Sequence, residues 1–358
     1  MLATLLKQIF GRSGVTPFEA GKLAYDRGEL PKAARLFGKA LRTDPRNADA
    51  HLYAGLASYG MDEPGEALQH FERAIALNPS QVKYLYHAAT AEYTLGNLDS
   101  AWKRCQEAVE RKPLFVDCHH LMSRIALPGP PYQARLPAIH ALLRPRTYLE
   151  IGVDRGVSLA HAQPATRAIG IDPAPKLSGP LPPNTTVYLM KSDDYFAQRD
   201  VRTDLGGLPL DLAFIDGLHH FEYALRDFVN IERHSTPGST VLVHDCYPLD
   251  RRTAEREPTT SFWSGDVWRL IVLLKKYRPD LRIATLGTAP TGLAIIRGLD
   301  PESRVLAGNL DALVAEFMAL DYGALENDKA ATLNLMPNDW GNVEAFLRDG
   351  ASPTARPS

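Results

Sequence analysis

Apolar and polar positions along this chain keep two different rhythms. Up to about residue 115, small and apolar residues recur at helical spacing and repeat with a 34-residue step: Ala33, Ala67 and Ala101; Ala40, Ala74 and Ala108; Tyr25, Tyr59 and Tyr93; Pro45, Pro79 and Pro113. Small residues at fixed points let short antiparallel helices pack closely, and a proline stops every second one. The rhythm then breaks at "ALPGPPYQARLP" (126–137), whose proline and glycine density predicts a linker without a helix. Beyond it, short β-rich runs alternate with helical stretches. The strand candidates are Thr147–Ile151, Ala168–Ile171, Thr186–Met190, Leu210–Ile215, Thr240–Val243, Arg282–Leu286 and Gly292–Ile296. That alternation predicts a mostly parallel sheet of seven strands covered by helices, with ligands at the carboxyl ends of the strands. Residues 299–347 read as helices around "DALVAEFMAL" and "WGNVEAFLRD", and the polar tail 348–358 as disordered. At the other end, residues 1–13 place Leu2, Leu5, Leu6, Ile9 and Phe10 on one helical face, which suits a helix packed on the next element or, as the alternative, a short interfacial anchor.

Composition changes this picture little. A chain of 358 residues has room for two domains, and its net charge of −2 leaves no nucleic-acid footprint. Three cysteines without paired spacing argue against a disulfide framework and a structural zinc site, and point to a reducing, cytoplasmic setting. No apolar run reaches the length of a membrane span. The repeat itself resembles the tetratricopeptide repeat family over residues 14–125, as three helix pairs and a cap. Each pair buries its apolar face only against its neighbours. Such an array serves either as a protein-docking surface or as a packing and homo-oligomerisation module.

The chemistry gathers at the strand ends. The first strand runs into "YLEIGVDRGVSLA", where Glu150, Gly152, Gly156 and Ser158 make an E-x-G-x-x-x-G-x-S turn expected to enter a helix. Glycines permit a tight turn and a close ligand, and an acid at position 150 repels a pyrophosphate while suiting an ammonium or sulfonium group. Asp172 ends the second strand, 20 residues after Gly152, where a carboxylate either accepts both hydroxyls of a ribose or caps a helix. Ser192, Asp193 and Asp194 follow the third strand, Asp216, His219 and His220 the fourth, and His244 and Asp245 the fifth.

With the E-x-G-x-x-x-G loop, Asp172 and "IDGLHHFEYALRDF…TPGSTVLVHDC", residues 138–298 resemble a class I S-adenosylmethionine-dependent methyltransferase. The likeness is to the small-molecule and sugar O-methyltransferase branch. It implies a Rossmann-like α/β domain binding S-adenosyl-L-methionine. Glu150 and Gly152 would line the methionine end, Asp172 would hold the ribose, Asp193 would meet the adenine amino group, and Asp216 would lie beside the sulfonium.

Two readings fit the remaining cluster. In one, His219 is the general base that takes the acceptor's hydroxyl proton. In the other, Asp216, His244 and Asp245 hold a divalent cation, magnesium or manganese, that acidifies the hydroxyl. Magnesium-dependent relatives carry two adjacent acids where this chain has His244–Asp245, which counts against the cation. The long segment "CYPLDRRTAEREPTTSFWSGDVW" follows the fifth strand where an acceptor would sit, and its Arg251, Arg252 and Arg256 suit either an anionic acceptor or a solvated loop. The expected function is O-methylation of a small molecule, sugar or glycan. The alternatives are a repeat scaffold with an inactive methyltransferase-like domain, and a protein methyltransferase whose repeats dock the substrate.

Overall fold

Helix boundaries in the first hundred residues follow the small-residue pattern. The computed structural model describes residues 15–260 and 262–349. The expected N-terminal helix (1–13) and the tail from residue 350 lie outside the described residues. Contacts divide the chain between Ile125 and Ala126 into two units. In the first, α1 (Pro17–Asp26) pairs with α2 (Leu30–Thr43), α3 (Ala48–Gly60) with α4 (Pro64–Leu77), and α5 (Val82–Thr94) with α6 (Leu98–Arg111); α7 (Val116–Ala126) closes the stack. Ala33, Ala67 and Ala101 are fully buried, as small residues at a helix crossing must be. Pro45, Pro79 and Pro113 each stand two residues past the end of the second helix of a pair. Neighbouring repeats are tied at the same step, for example by Lys83 Nζ donating to Asp49 Oδ1 at 3.0 Å.

The second unit is a sheet between two helical layers. Its strands are β1 (Thr147–Ile151), β2 (Arg167–Ile171), β3 (Thr185–Tyr188), β4 (Leu212–Ile215), β5 (Thr240–His244), β6 (Arg282–Leu286), β7 (Leu293–Arg297) and β8 (Leu335–Met336), in the order β3-β2-β1-β4-β5-β7-β6-β8. β7 is antiparallel to β5 and β6, and the other pairings are parallel. The sheet therefore has eight strands, not seven. The eighth is a two-residue strand from the segment expected to be wholly helical, held by bonds such as Gly287 N–H to the Met336 carbonyl. Alternation sends Leu149 and Ile151 into one core with α10 (Phe221–His234) and α11 (Trp268–Tyr277), introduced after α8 (Tyr132–Leu143) and α9 (Ser192–Gln198). Tyr148 and Phe214 face the other core with α8 and the last helix, α13 (Trp340–Arg348), which follows α12 (Leu310–Met318). Burying a side chain such as Phe214 contributes about 2–3 kcal/mol.

The linker expected over 126–137 is a helix from Tyr132 onward, with Pro137 inside it. Pro137 removes one intrahelical bond, and burial of Leu136 and Ile139 against the Tyr148 face offsets that loss. No α-helix follows the E-x-G-x-x-x-G-x-S turn either. Only a 3-10 turn, Leu159–His161, stands there, so the expected row of helix N-terminal N–H groups is missing.

Candidate active site

Strand order turns at β1 and β4: β2 and β3 build outward on one side, β5 on the other. At such a switch point the loops leave in opposite directions and open a crevice. Gly152 closes its floor. Its φ is +86°, and a Cβ there would run into the Asp216 carbonyl group and stand 2.6 Å from Gly217 Cα. Only glycine lets the β1 and β4 loops meet so closely. A cavity of about 620 Å³ extends from Gly152, Asp216 and His219, past Asp172 and Pro173, to Ser192, Asp193 and Asp227. A second one, about 330 Å³, shares Gly152, Asp154 and Asp216 with it and reaches Tyr132, Arg155 and Ser158. The first has the size of a nucleoside-type site.

Several expected residues do other work. Asp172 caps no helix. It accepts from the Val153 and Asp154 N–H groups at 2.9 Å each and from Ala174 N–H at 2.8 Å, so it fastens the glycine loop while lining the cavity. Glu150 lines neither cavity. It sits one residue before the end of β1, paired in register with Gly170 and Phe214, and is fully buried. Tyr148 Oη and Ser158 Oγ both donate to it at 2.6 Å, and burial pushes its carboxyl up to about 8. An acid held neutral behind the wall supplies no charge to a sulfonium. Gly156 turns the chain at φ +74° with its α-carbon toward Leu177, and it too lines neither cavity. Ser192 and Asp193 line the large one from the first turn of α9, whereas Asp194 is exposed. Arg226 grips Asp193 through both carboxylate oxygens at 2.8–3.2 Å.

The acids and imidazoles after β4 and β5 do come together. His244 Nδ1 lies 2.9 Å from Asp216 Oδ1 and 3.1 Å from Asp245 Oδ2, and its ring lies against Tyr132 at a tilt of 33° with centroids 4.0 Å apart. Burial opposes the charge on His244, yet Asp245 and Asp216 outweigh it and raise its pKa to about 10. Asp245 holds a left-handed backbone at φ +58°, and Thr291 Oγ1 donates to its Oδ1 at 2.6 Å. Although burial works against its charge, His244 and His219 hold its carboxyl well below the usual range. His219 places Nε2 3.0 Å from Asp245 Oδ2 and Nδ1 3.2 Å from the Trp263 carbonyl, with its ring stacked on Trp263. Burial lowers its pKa and Asp245 raises it, for a net rise. His220 instead meets the Arg256 carbonyl and guanidinium, which is a packing role.

Ligand atoms of Asp216, His219 and Asp245 lie within 4.8 Å of one another, close enough to share a cation. The expected set named His244 in place of His219. The geometry differs because His244 turns Nδ1 to both acids and Nε2 to Thr291 at 3.3 Å, whereas His219 reaches the two carboxylates from the other side. Two of the three arginines of the long loop, Arg251 and Arg256, are paired within the chain. Arg251 pairs with Asp321 and Glu326, and Arg256 with Glu222 and Asp266, which removes them as receptors for an anionic acceptor. The "SGDVW" end of that loop is structural. Asp266 accepts from Phe221 N–H at 2.6 Å and so caps α10 just behind His219, while Gly265 (φ +61°) lies against the His219 backbone. Trp268 is core. Sequence reasoning missed Tyr132, Thr291 and Asp227; the first lay in the presumed linker, and the last looked like part of a polar helix face.

Residues 149–246 match the family model described as a methyltransferase domain. The second unit carries a methyltransferase domain. Tetratricopeptide repeats match residues 18–60 and 59–114. The Hsp70-Hsp90 organising protein of Plasmodium falciparum is 31% identical over 83 residues, which is 22% of this chain and 15% of that protein. The first tetratricopeptide domain of Spaghetti, bound to an HSP90 peptide, is 22% identical over 30% of this chain and 86% of its own, with a TM-score of 0.30. Crystalline MamA is 19% identical over 29% of this chain and 61% of its own, with a TM-score of 0.29. Among the described residues no helix is long and apolar enough to cross a membrane.

Proposed function

We propose that the second unit transfers a methyl group from S-adenosyl-L-methionine to a hydroxyl of a small molecule, sugar or glycan. The observation that carries this is the cavity at the β1–β4 switch point, inside the methyltransferase match, floored by a glycine whose Cβ would collide with the β4 loop backbone. The residues fit the cofactor: Asp172 reaches the middle of the cavity where a ribose would lie, and Asp216 offers a carboxylate at its junction with the second cavity. When bound, the cofactor supplies an electrophilic methyl on a sulfonium and no base. The chain supplies the base. His219 is the candidate: Nδ1 faces the Trp263 carbonyl and Nε2 faces the Asp245 carboxylate at 3.0 Å, so Nε2 must first give up its proton before it can take the acceptor's, and Asp245 beside it stabilises the imidazolium that forms. His244, charged already, takes no proton and instead fixes Asp216 and Asp245.

A second reading, a divalent cation held by Asp216, His219 and Asp245, is favoured by the convergence of their ligand atoms. It would acidify the acceptor hydroxyl directly. For the first unit we propose a protein partner docked on the repeat stack, as such arrays present a continuous surface.

Calorimetric titration of wild type and Asp172→Ala with S-adenosylmethionine, with and without magnesium or manganese, tests the proposal. Binding by wild type and its loss in the variant is expected. Wild type that is folded and binds nothing overturns it, and an affinity that depends on the metal replaces the histidine base by the cation.

A further inference from the structure

The base-binding end of the large cavity holds a group that no step above uses. Asp227, on α10, lines the cavity and is only 4% exposed, and its Oδ1 meets no hydrogen-bond partner. A buried polar atom left unpaired is costly, so a ligand that completes it gains what the apo site lacks. The surroundings decide which form of the acid is there. On α9, Ser192 hydrogen-bonds the carboxyl, and Asp193 stands close by as a like charge; Arg226 is adjacent but spends its guanidinium on Asp193. Lys191 is exposed at the cavity rim, Tyr223 shares the wall, and the four residues of β4 behind α10 carry no titratable group. From α11 and α12 the core contributes apolar side chains such as Leu270, Ile271 and Leu313. Arg226 therefore compensates an ionised Asp227 only at a distance, with no hydrogen bond to it, and burying such a carboxylate against an uncharged purine is disfavoured.

Resting on the cofactor reading above, we propose that Asp227 stays uncharged and donates its carboxyl O–H to a ring nitrogen of the cofactor's purine, making it a base-reading residue in place of the arginine-bound Asp193. The direction of its titration agrees: burial pushes its pKa up to about 7, against the pull of Ser192. The ring nitrogens are acceptors, so an ionised carboxylate repels them, and above neutrality the site must take up a proton to bind. An asparagine at this position keeps a donor without a titration.

The experiment is calorimetry of S-adenosylhomocysteine binding to the full chain, between about pH 6 and about pH 9, in two buffers of different ionisation enthalpy. Wild type, Asp227→Asn and Asp227→Ala are compared. Wild-type affinity is expected to fall by about tenfold per pH unit on the alkaline side, with uptake of close to one proton per ligand. Asp227→Asn should keep the acid-side affinity within roughly threefold and lose the proton uptake, and Asp227→Ala should bind about tenfold more weakly at acid pH. Should the alanine variant fail to fold, wild type and the asparagine variant decide alone. Binding that is equally pH-dependent in Asp227→Asn, or pH-independent in wild type, overturns this inference and leaves the cofactor reading standing. Absence of binding by folded wild type at any pH overturns both.

Discussion

Gly152 is the residue whose identity the site tolerates least. Alanine there meets both a left-handed backbone and the Asp216 carbonyl, a combination expected to cost about 2–4 kcal/mol. Gly152→Ala should lower the urea midpoint and abolish S-adenosylhomocysteine binding measured on the remaining folded protein. His219 carries a different prediction. If it is the base, His219→Ala retains cofactor binding and loses about 10²–10⁴-fold in kcat, read with any acceptor that turns over. Glu150 gives a stability signature. Its folded-state pKa, about 8, lies above the ordinary value of 4.5. Its contribution to stability is therefore complete below that ordinary value and is lost as pH rises toward 8. Urea denaturation of wild type should show a decline across that window, on the order of 3–5 kcal/mol from this group. Glu150→Gln should flatten it.

At the scale of elements, the site depends on how α10 begins. Asp266 reaches from the long loop to cap its first N–H and to neutralise Arg269 at 2.7 Å, while wholly buried. Asp266→Ala uncaps the helix and strands a half-buried guanidinium, so a loss of about 3 kcal/mol is expected in denaturant titration. Asp266→Asn keeps the cap and should recover part of it. How far such features were legible varied by element. β1 has the bounds its apolar pattern predicts, Thr147–Ile151, because a short run flanked by turns admits one register. α8 was hidden by Pro137, since local propensity says nothing of the apolar face that repays the broken bond. β8 spans two residues, too few to print any periodicity, and exists because β6 offers it an edge.

For the whole molecule, two units with their own hydrophobic cores imply separable behaviour. Residues 126–358 alone should fold and bind S-adenosylhomocysteine with the affinity of the full chain, checked by calorimetry and thermal unfolding of both. A marked weakening would show that the repeats contribute to the site. The sequence alone pointed to the repeat stack, the alternating strands and helices, and the placing of Asp172, Asp216, His219 and Asp245 after strand ends, because period and alternation are written in local spacing. Tertiary structure alone decided which carboxyl faces the cavity and in what charge state. Glu150 and Asp227 are both buried acids, but one lies a residue short of the strand end behind Ser158 and the other opens into the cavity beside Ser192. Burial and charge depend on neighbours distant in the chain, and spacing does not record them.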